Sequence, residues 1–411
     1  MPNPTRSIMT GTVTSNTIPS TTPTGSLPPW PFFAEDEIEA AAEALRSGKA
    51  NYWTGKICRQ FENAFATAVG CEYGIALANG TLALELALKM LGVGAGDEVV
   101  VTPRSFIASA SCVVTCGATP VFADVDRVSG NITAETIENV ISPRTKAIIP
   151  VHLAGRPCEM DPIMDLASKH GLVVIEDCAQ AHGAVYKGRP CGSIGHAGAW
   201  SFCQDKIMTT GGEGGLLTTN DADLWERSWS YKDHGKGYEI SHLTGQPLGF
   251  KWLHESFGTN WRLTEMQAAI GLAQLSKLSS WVQRRRENAA VLSEAFQKIP
   301  AIRVPDQPEH IYNSFYKYYV YVRPELLKEG WSRDSCLEDI AAQGYPGLSG
   351  ICPEIYLEKA FAEAGIGPSQ RLPVARELGE TSMMFLVHPT ISPEQAGQVA
   401  EAVMRTMEKA S

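Results

Sequence analysis

The chain lacks any uninterrupted apolar run of membrane-spanning length and shows no secretory leader, so a reducing cytoplasm is the expected compartment. An excess of basic residues is missing too: Lys and Arg number 35 against 45 Asp and Glu, a net charge of −10. A chain of that sign gains no broad affinity for nucleic acid or an anionic membrane through counterion release, and neither is an expected partner. A small basic pocket for an anionic ligand stays open. The ten cysteines lie in apolar segments without the paired spacing of a metal site. Cys112 and Cys116, four apart, read as one helix face, and no metal is expected. No internal repeat is visible.

What is present is bulk. At 411 residues and 44% hydrophobic composition, the chain suffices for a large core and more than one domain. Residues 1–28, rich in Thr, Ser and Pro without periodicity, predict a disordered tail. Short β-branched strands then alternate with helices. Strands are expected at Tyr73–Ala78, Glu98–Thr102, Pro120–Asp124, Ala147–His152, Leu172–Asp177 and Gly215–Thr219. This alternation predicts an α/β fold, with a large domain over residues 29–285 whose mostly parallel, mixed sheet is covered by helices. After about residue 300 the pattern changes, and residues 286–411 predict a smaller C-terminal α+β domain. Residues 232–260 are polar, glycine-rich and long for a connection, which marks them as functional or mobile. The aromatic turn Asn51–Gly55 is either a buried corner or, through Trp53, part of a pocket lining.

Ligands of such sheets bind beyond the carboxyl ends of the strands. Asn79-Gly80-Thr81, His152 and Asp177 all fall at such ends. The run Leu82–Leu91 is apolar nearly all round and should be a buried helix. The turn before it is either a phosphate site, through free N–H groups and the helix dipole, or an ordinary N-cap by Thr81. Lys206 stands in Ser201-Phe-Cys-Gln-Asp-Lys206, followed by a glycine run. An isolated lysine is a surface charge more often than a nucleophile; it becomes one when its pKa falls or a cofactor holds it as an imine. Together these residues make a kit for pyridoxal 5'-phosphate. Gly80, Thr81 and Ser201 suit the phosphate, Asp177 the ring nitrogen, Lys206 the imine and Phe106 the aromatic face.

The order and spacing of five segments carry a resemblance. They are Asn79–Leu84, Glu176–Gly183, Ser201–Lys206, Gly212–Gly215 and Asn260–Ile270. The chain resembles the nucleotide-sugar aminotransferases of the DegT/DnrJ/StrS type, within the aspartate aminotransferase fold (fold type I). The likeness is strong over roughly 30–300 and weaker beyond. It implies that Lys206 forms a Schiff base with the cofactor and shuttles a proton, and that Asp177 holds the pyridinium N–H. It further implies that Gln180 contacts the ring or its hydroxyl and Phe106 stacks on it. Thr81, the Leu82 N–H and Ser201 would bind the phosphate. Asn260 would reach that phosphate from a second subunit, making a homodimer with shared sites. His152, His182, Arg104, His234 and Trp53 are candidate substrate contacts, each with a structural alternative. The chain departs from the pattern at Cys203, where a His or aromatic is frequent, in a shorter Pro103–Phe106 loop, and in Gly347–Pro353, where a substrate-binding histidine is expected.

The function this resemblance implies is transfer of an amino group from an amino acid, by family glutamate, to a keto sugar, in the family's terms a nucleotide-linked one. A sugar dehydratase on the same scaffold, a regulator that keeps the cofactor pocket, and a nucleotide-binding α/β protein without the cofactor are the alternatives. Related dehydratases carry histidine in place of the lysine, and Lys206 argues against that route.

Overall fold

Runs such as Glu98-Val-Val-Val101 and Val173-Val-Ile-Glu-Asp177 are too apolar on both faces for a surface. The computed structural model, which describes residues 27–243, 250 and 252–411, places them in a central sheet. The strands of the N-terminal part are β1 (Tyr73–Leu77), β2 (Glu98–Val101), β3 (Thr119–Phe122), β4 (Thr145–Ile149) and β5 (Val173–Asp177). A small hairpin follows, β6 (Val185–Tyr186) and β7 (Arg189–Pro190), then β8 (Ala197–Ser201) and β9 (Gly215–Thr219). Seven of them form one sheet in the order β1-β9-β8-β5-β4-β2-β3. Strands β2, β3, β4, β5 and β8 pair in parallel, whereas β9 runs antiparallel to both β1 and β8. One reversed strand leaves β1 pointing the same way as its parallel neighbours, so their carboxyl ends share an edge. Helices cover the sheet, including the buried Gly80–Met90.

The C-terminal part holds β10 (Ile302–Arg303), β11 (Ile311–Tyr312), β12 (Tyr318–Val322) and β13 (Ser382–Phe385). Strands β10, β12 and β13 form an antiparallel sheet packed around Phe296, Val320, Phe385 and Val403. The architecture is thus a large α/β domain and a smaller α+β one, as the alternation predicted. Later helices of the chain span Lys359–Ala364 and Pro393–Ala410. The expected tail over 1–28 lies outside the described residues except for Leu27 and Pro28, and Leu27 packs against the C-terminal core.

Several elements were not anticipated, β8, the helix Pro373–Thr381 and β13 among them. Strand β8 reads Ala-Gly-Ala-Trp-Ser, with none of the β-branched residues that signal a strand. The helix Pro373–Thr381 runs straight into β13, Ser-Met-Met-Phe, without a turn signal between them. The stretch from Glu265 to Phe296 is one helix of 32 residues, passing unbroken through the expected boundary at 285. Thr264 caps its start, accepting from the Gln267 N–H at 3.3 Å. Its buried Glu265 accepts the N–H groups of Ile57 at 2.7 Å and Cys58 at 3.0 Å, a carboxylate placed at the positive end of another helix, Ile57–Ala68.

A buried ion pair locks that second helix to the sheet. Lys232 Nζ lies 2.7 Å from Glu62 Oε1, which also accepts the Ala76 N–H of β1 at 2.9 Å. Tyr52 donates to Glu62 Oε2 at 3.1 Å, and its ring lies 4.0 Å from the Lys232 ammonium. Removing one partner strands the other charge in the interior. Lys232→Met is therefore expected to cost about 3–5 kcal/mol in urea unfolding, and Lys232→Met with Glu62→Gln distinctly less.

Candidate active site

The shared strand edge opens into a cavity of about 840 Å³ between the two domains. The sequence-derived residues Gly80, Thr81, Leu82, Phe106, Asp177, Gln180, Ser201 and Lys206 all line it. The C-terminal domain closes it with Tyr316, Lys317, Tyr319, Leu348, Gly350, Ile351 and Met384. The segment in which a histidine was expected does reach the cavity, but it presents Leu348, Gly350 and Ile351 there.

One end of the cavity suits an anion. The helix Gly80–Met90 starts there, with its N-terminal N–H groups and positive dipole end. Its N-cap is Asn79 rather than Thr81: Asn79 Oδ1 accepts the Leu82 N–H at 3.0 Å. That N–H, expected to meet a phosphate, is already occupied, so Gly80 and Thr81 are left to offer theirs. Gly80 lets the helix sit hard against β8, since a Cβ there would fall 2.6 Å from Ser201 Cβ. Gly215 is required for the same packing, because a Cβ on it would collide with the Asn79 carbonyl.

The floor holds an acid. Asp177 ends β5, only 4% exposed; its Oδ2 accepts from Ser109 Oγ at 2.7 Å and its Oδ1 from the Ala179 N–H at 3.1 Å. Burial pushes its carboxyl above the usual carboxylate range, and Ser109, that N–H and the charge of Lys206 offset only part of the rise. Beside it Gln180 Oε1 accepts the Ala154 N–H at 2.8 Å, which fixes the side chain and leaves its amide N–H₂ as the donor end.

Lys206 follows a tight turn in which its own N–H donates to the Cys203 carbonyl at 3.1 Å. Its carbonyl accepts from Trp30 Nε1 at 2.9 Å, so the start of the described chain pins the turn. The ammonium lies 3.8 Å from Asp205 Oδ1 and 5.0 Å from the Tyr316 ring centroid. Tyr316 donates its hydroxyl to Asp205; burial and that carboxylate hold its phenol well above the ordinary range, so it stays neutral.

The candidate substrate contacts do not line this cavity. His152 is fully buried: its Nδ1 accepts the Cys158 N–H at 3.0 Å, and its other nitrogen bonds Glu176 at 2.9 Å. Glu176 also accepts three backbone N–H groups, from Gly192, Ile194 and Gly195. The trio His152, Glu176 and Cys178 thus sits at ligand spacing, yet His152 and Glu176 are already engaged in hydrogen bonds. His182 is buried among Phe65, Trp200 and Phe202; burial, with Lys206 and Arg285, drives its pKa down to about 3, so it packs as a neutral ring. Arg104 turns away from the cavity into the domain seam, bonding the Tyr321 hydroxyl at 2.8 Å. Trp53, His234 and Asn260 do not line the cavity either. Trp53 donates to Asp233 Oδ2 at 2.6 Å, Asn260 pairs with Asp233 in a β-bridge, and both His234 and Asn260 are exposed.

Sequence reasoning missed Ser109, Asp205, Tyr316, Lys317 and Tyr319. Only Asp205 carried a signal, its adjacency to Lys206.

The donor set fits pyridoxal 5'-phosphate. A buried acid with an upshifted carboxyl lacks a cation, and a protonated ring nitrogen would supply one. A helix N-terminus, Ser201 and a lysine share the same cavity.

Comparison with known proteins agrees. The profile of the DegT/DnrJ/EryC1/StrS aminotransferase family matches residues 31–404. The chain is similar to the crystal structure of an aminotransferase from Psychrobacter cryohalolentis, at 54% identity and a TM-score of 0.90, covering 92% of this chain and 98% of that one. It is 42% identical to GDP-perosamine synthase of Caulobacter vibrioides over 322 residues, 75% of this chain and 82% of the relative. It is 36% identical to UDP-N-acetyl-3-dehydro-alpha-D-glucosamine 3-aminotransferase of Acidithiobacillus ferrooxidans, covering 87% and 90%.

Two expectations follow from the geometry. Gly80→Ala should weaken pyridoxal 5'-phosphate binding at least about tenfold in equilibrium dialysis, as it pushes the helix off β8, while Gly94→Ala, with open space around it, should not. For Asp177 the sign runs against charge: the folded protein without cofactor loses stability as pH rises from the ordinary carboxylate value through the raised one. At pH 7 Asp177→Asn should therefore raise the melting temperature of the cofactor-free protein while lowering its cofactor affinity.

Proposed function

The chain belongs to the DegT/DnrJ/EryC1/StrS aminotransferase family, and on that premise we propose that it moves an amino group from glutamate to a keto sugar carried on a nucleotide. Family membership brings pyridoxal 5'-phosphate dependence and aminotransferase chemistry on a sugar. The donor and the nucleotide link are the proposal. In its support, one relative is named for a GDP sugar and another for a UDP sugar.

When bound, the cofactor supplies an aldehyde and an electron sink. The observation that carries the site assignment is the single cavity in which Asp177, Lys206 and the helix N-terminus meet. Gly80, Thr81 and Ser201 would hold the phosphate there. Asp177, kept in place by Ser109, would hold the ring nitrogen's proton and gain the cation its burial lacks. Gln180 would offer its amide, and Phe106 its aromatic face, to the ring. Lys206 would hold the cofactor through its amine and carry a proton as general base and acid; its ammonium lies over Tyr316 and 3.8 Å from Asp205.

Phe106 is 62% exposed at the cavity rim, and Asn260 stands outside its own cavity. We assign both to a homodimer contact in which Asn260 serves the second copy's site. The exposed Phe250, Trp252 and Phe257, from the same connection as Asn260, supply apolar surface for it. We place the protein in the cytoplasm. Its ten cysteines are free, and no helix among the described residues is long and apolar enough to cross a membrane.

Purified protein should absorb in the visible, bleach with L-glutamate, and lose the band in Lys206→Ala. Nucleotide-linked amino sugars offered with 2-oxoglutarate should yield glutamate for a subset of them. A colourless protein that takes up no added cofactor would refute the proposal, as would bleaching with no transfer to any nucleotide sugar.

A further inference from the structure

An aminotransferase cavity takes two unlike molecules in turn, an amino acid and a keto sugar. Every α-amino acid donor carries a carboxylate one bond from the carbon that bears the amine. A fixed group has to meet that carboxylate close to Lys206. No arginine is among the described residues that line this cavity, and its cations are Lys206 and Lys317. The first is committed to the cofactor.

Lys317 immediately precedes β12 and enters the cavity from the C-terminal domain. Its ammonium lies 4.8 Å from the centroid of the Tyr316 ring, the ring that Lys206 approaches at 5.0 Å. The two lysines therefore flank one side chain at the reacting end of the cavity. The neighbouring acid is already engaged: Asp205 accepts the Tyr316 hydroxyl and lies 3.8 Å from Lys206. The other groups facing Lys317 do not compensate it. Arg285 and Lys206 repel it, and His388 is held neutral, its pKa brought down to about 3 by burial and by Arg285 and Lys317. Burial and those cations draw Lys317 itself down to about 8, with Asp205 opposing. A half-buried ammonium in such surroundings gains from an incoming anion. A nucleotide diphosphate is held away from the reacting carbon by the sugar itself, whereas the α-carboxylate of an amino acid is one bond from the carbon that reacts.

We propose that Lys317 binds the α-carboxylate of the amino donor, a reading that rests on the aminotransferase function above. It makes the capture of an amino acid in this cavity a matter of one charge delivered by the C-terminal domain.

The test uses the holoenzyme and its Lys317→Met and Lys317→Arg variants, each first shown to keep the visible band. Calorimetry with glutarate, a dicarboxylate without an amine, measures carboxylate binding alone. Stopped-flow bleaching compares L-glutamate with its α-amide, isoglutamine. Loss of one charge-assisted hydrogen bond predicts about a 10- to 100-fold fall in kcat/KM for glutamate in Lys317→Met, with weaker glutarate binding. The preference for glutamate over isoglutamine should collapse in that variant and return in part in Lys317→Arg. Wild-type glutarate binding and an unchanged preference in Lys317→Met would overturn the assignment. So would an equal loss for glutamate and isoglutamine, the mark of a merely structural role. A wild-type holoenzyme that glutamate fails to bleach would overturn the aminotransferase reading first, and this one with it.

Discussion

A carboxylate with almost no access to water, and with a hydroxyl and a backbone N–H as its partners, is a costly thing to place at the end of a buried strand. Asp177 is that group, and much of the surrounding architecture compensates it. Parallel strands bring their carboxyl ends to one edge, so the acid, the start of the helix Gly80–Met90 and the turn leading to Lys206 all converge. The reversed β9 returns the chain beneath them, and its first residue, Gly215, admits the Asn79 carbonyl. The site is positive where a phosphate belongs and negative where a ring nitrogen belongs before either arrives. Such preorganisation costs stability in the protein alone and returns it on binding.

The C-terminal domain is part of this site rather than an appendage. Arg104, two residues before Phe106, inserts its guanidinium between the rings of Tyr319 and Tyr321, 5.1 and 5.5 Å from their centroids. Tyr319 lines the cavity on the other side, and its hydroxyl accepts the Ile351 N–H at 2.9 Å. The loop that carries Phe106 and the strand that follows Lys317 are thus held in one stack. An arginine suits this position because its flat, weakly hydrated head can be buried against aromatic faces.

The cofactor's half of the site was legible in the sequence, because its chemistry demands particular residue types at strand ends and the strands announce themselves by β-branched runs. Lys206, Asp177, Gln180, Ser201 and the Gly80 turn fell where that logic placed them. Polar residues judged by type alone fared worse. His152, His182 and Arg104 look reactive in a sequence, yet all three are buried: His152 bonds Glu176, Arg104 bonds the Tyr321 hydroxyl, and His182 packs among aromatic rings. Conversely, Lys317 stands between tyrosines in a strand-like run where alternation suggests a solvent-facing charge; only the docking of two domains turns it inward. The helix cap shows the same limit on a smaller scale. Asn79 and Thr81 are both good caps, and the choice between them depends on how tightly Gly80 packs on β8.

The helix from Glu265 to Phe296 begins beside the cavity, where Gln267 donates to the Glu213 carbonyl at 2.7 Å, and ends among the apolar side chains of the other domain, Leu292 and Phe296. Its rotation is therefore shared between two cores. A single inserted residue turns everything beyond it by about 100° and shifts it by about 1.5 Å. The two halves cannot be exchanged as modules between relatives at an arbitrary seam. A workable chimera would have to splice within this helix and keep its phase, which ties the evolution of donor and sugar recognition to that of the cofactor site.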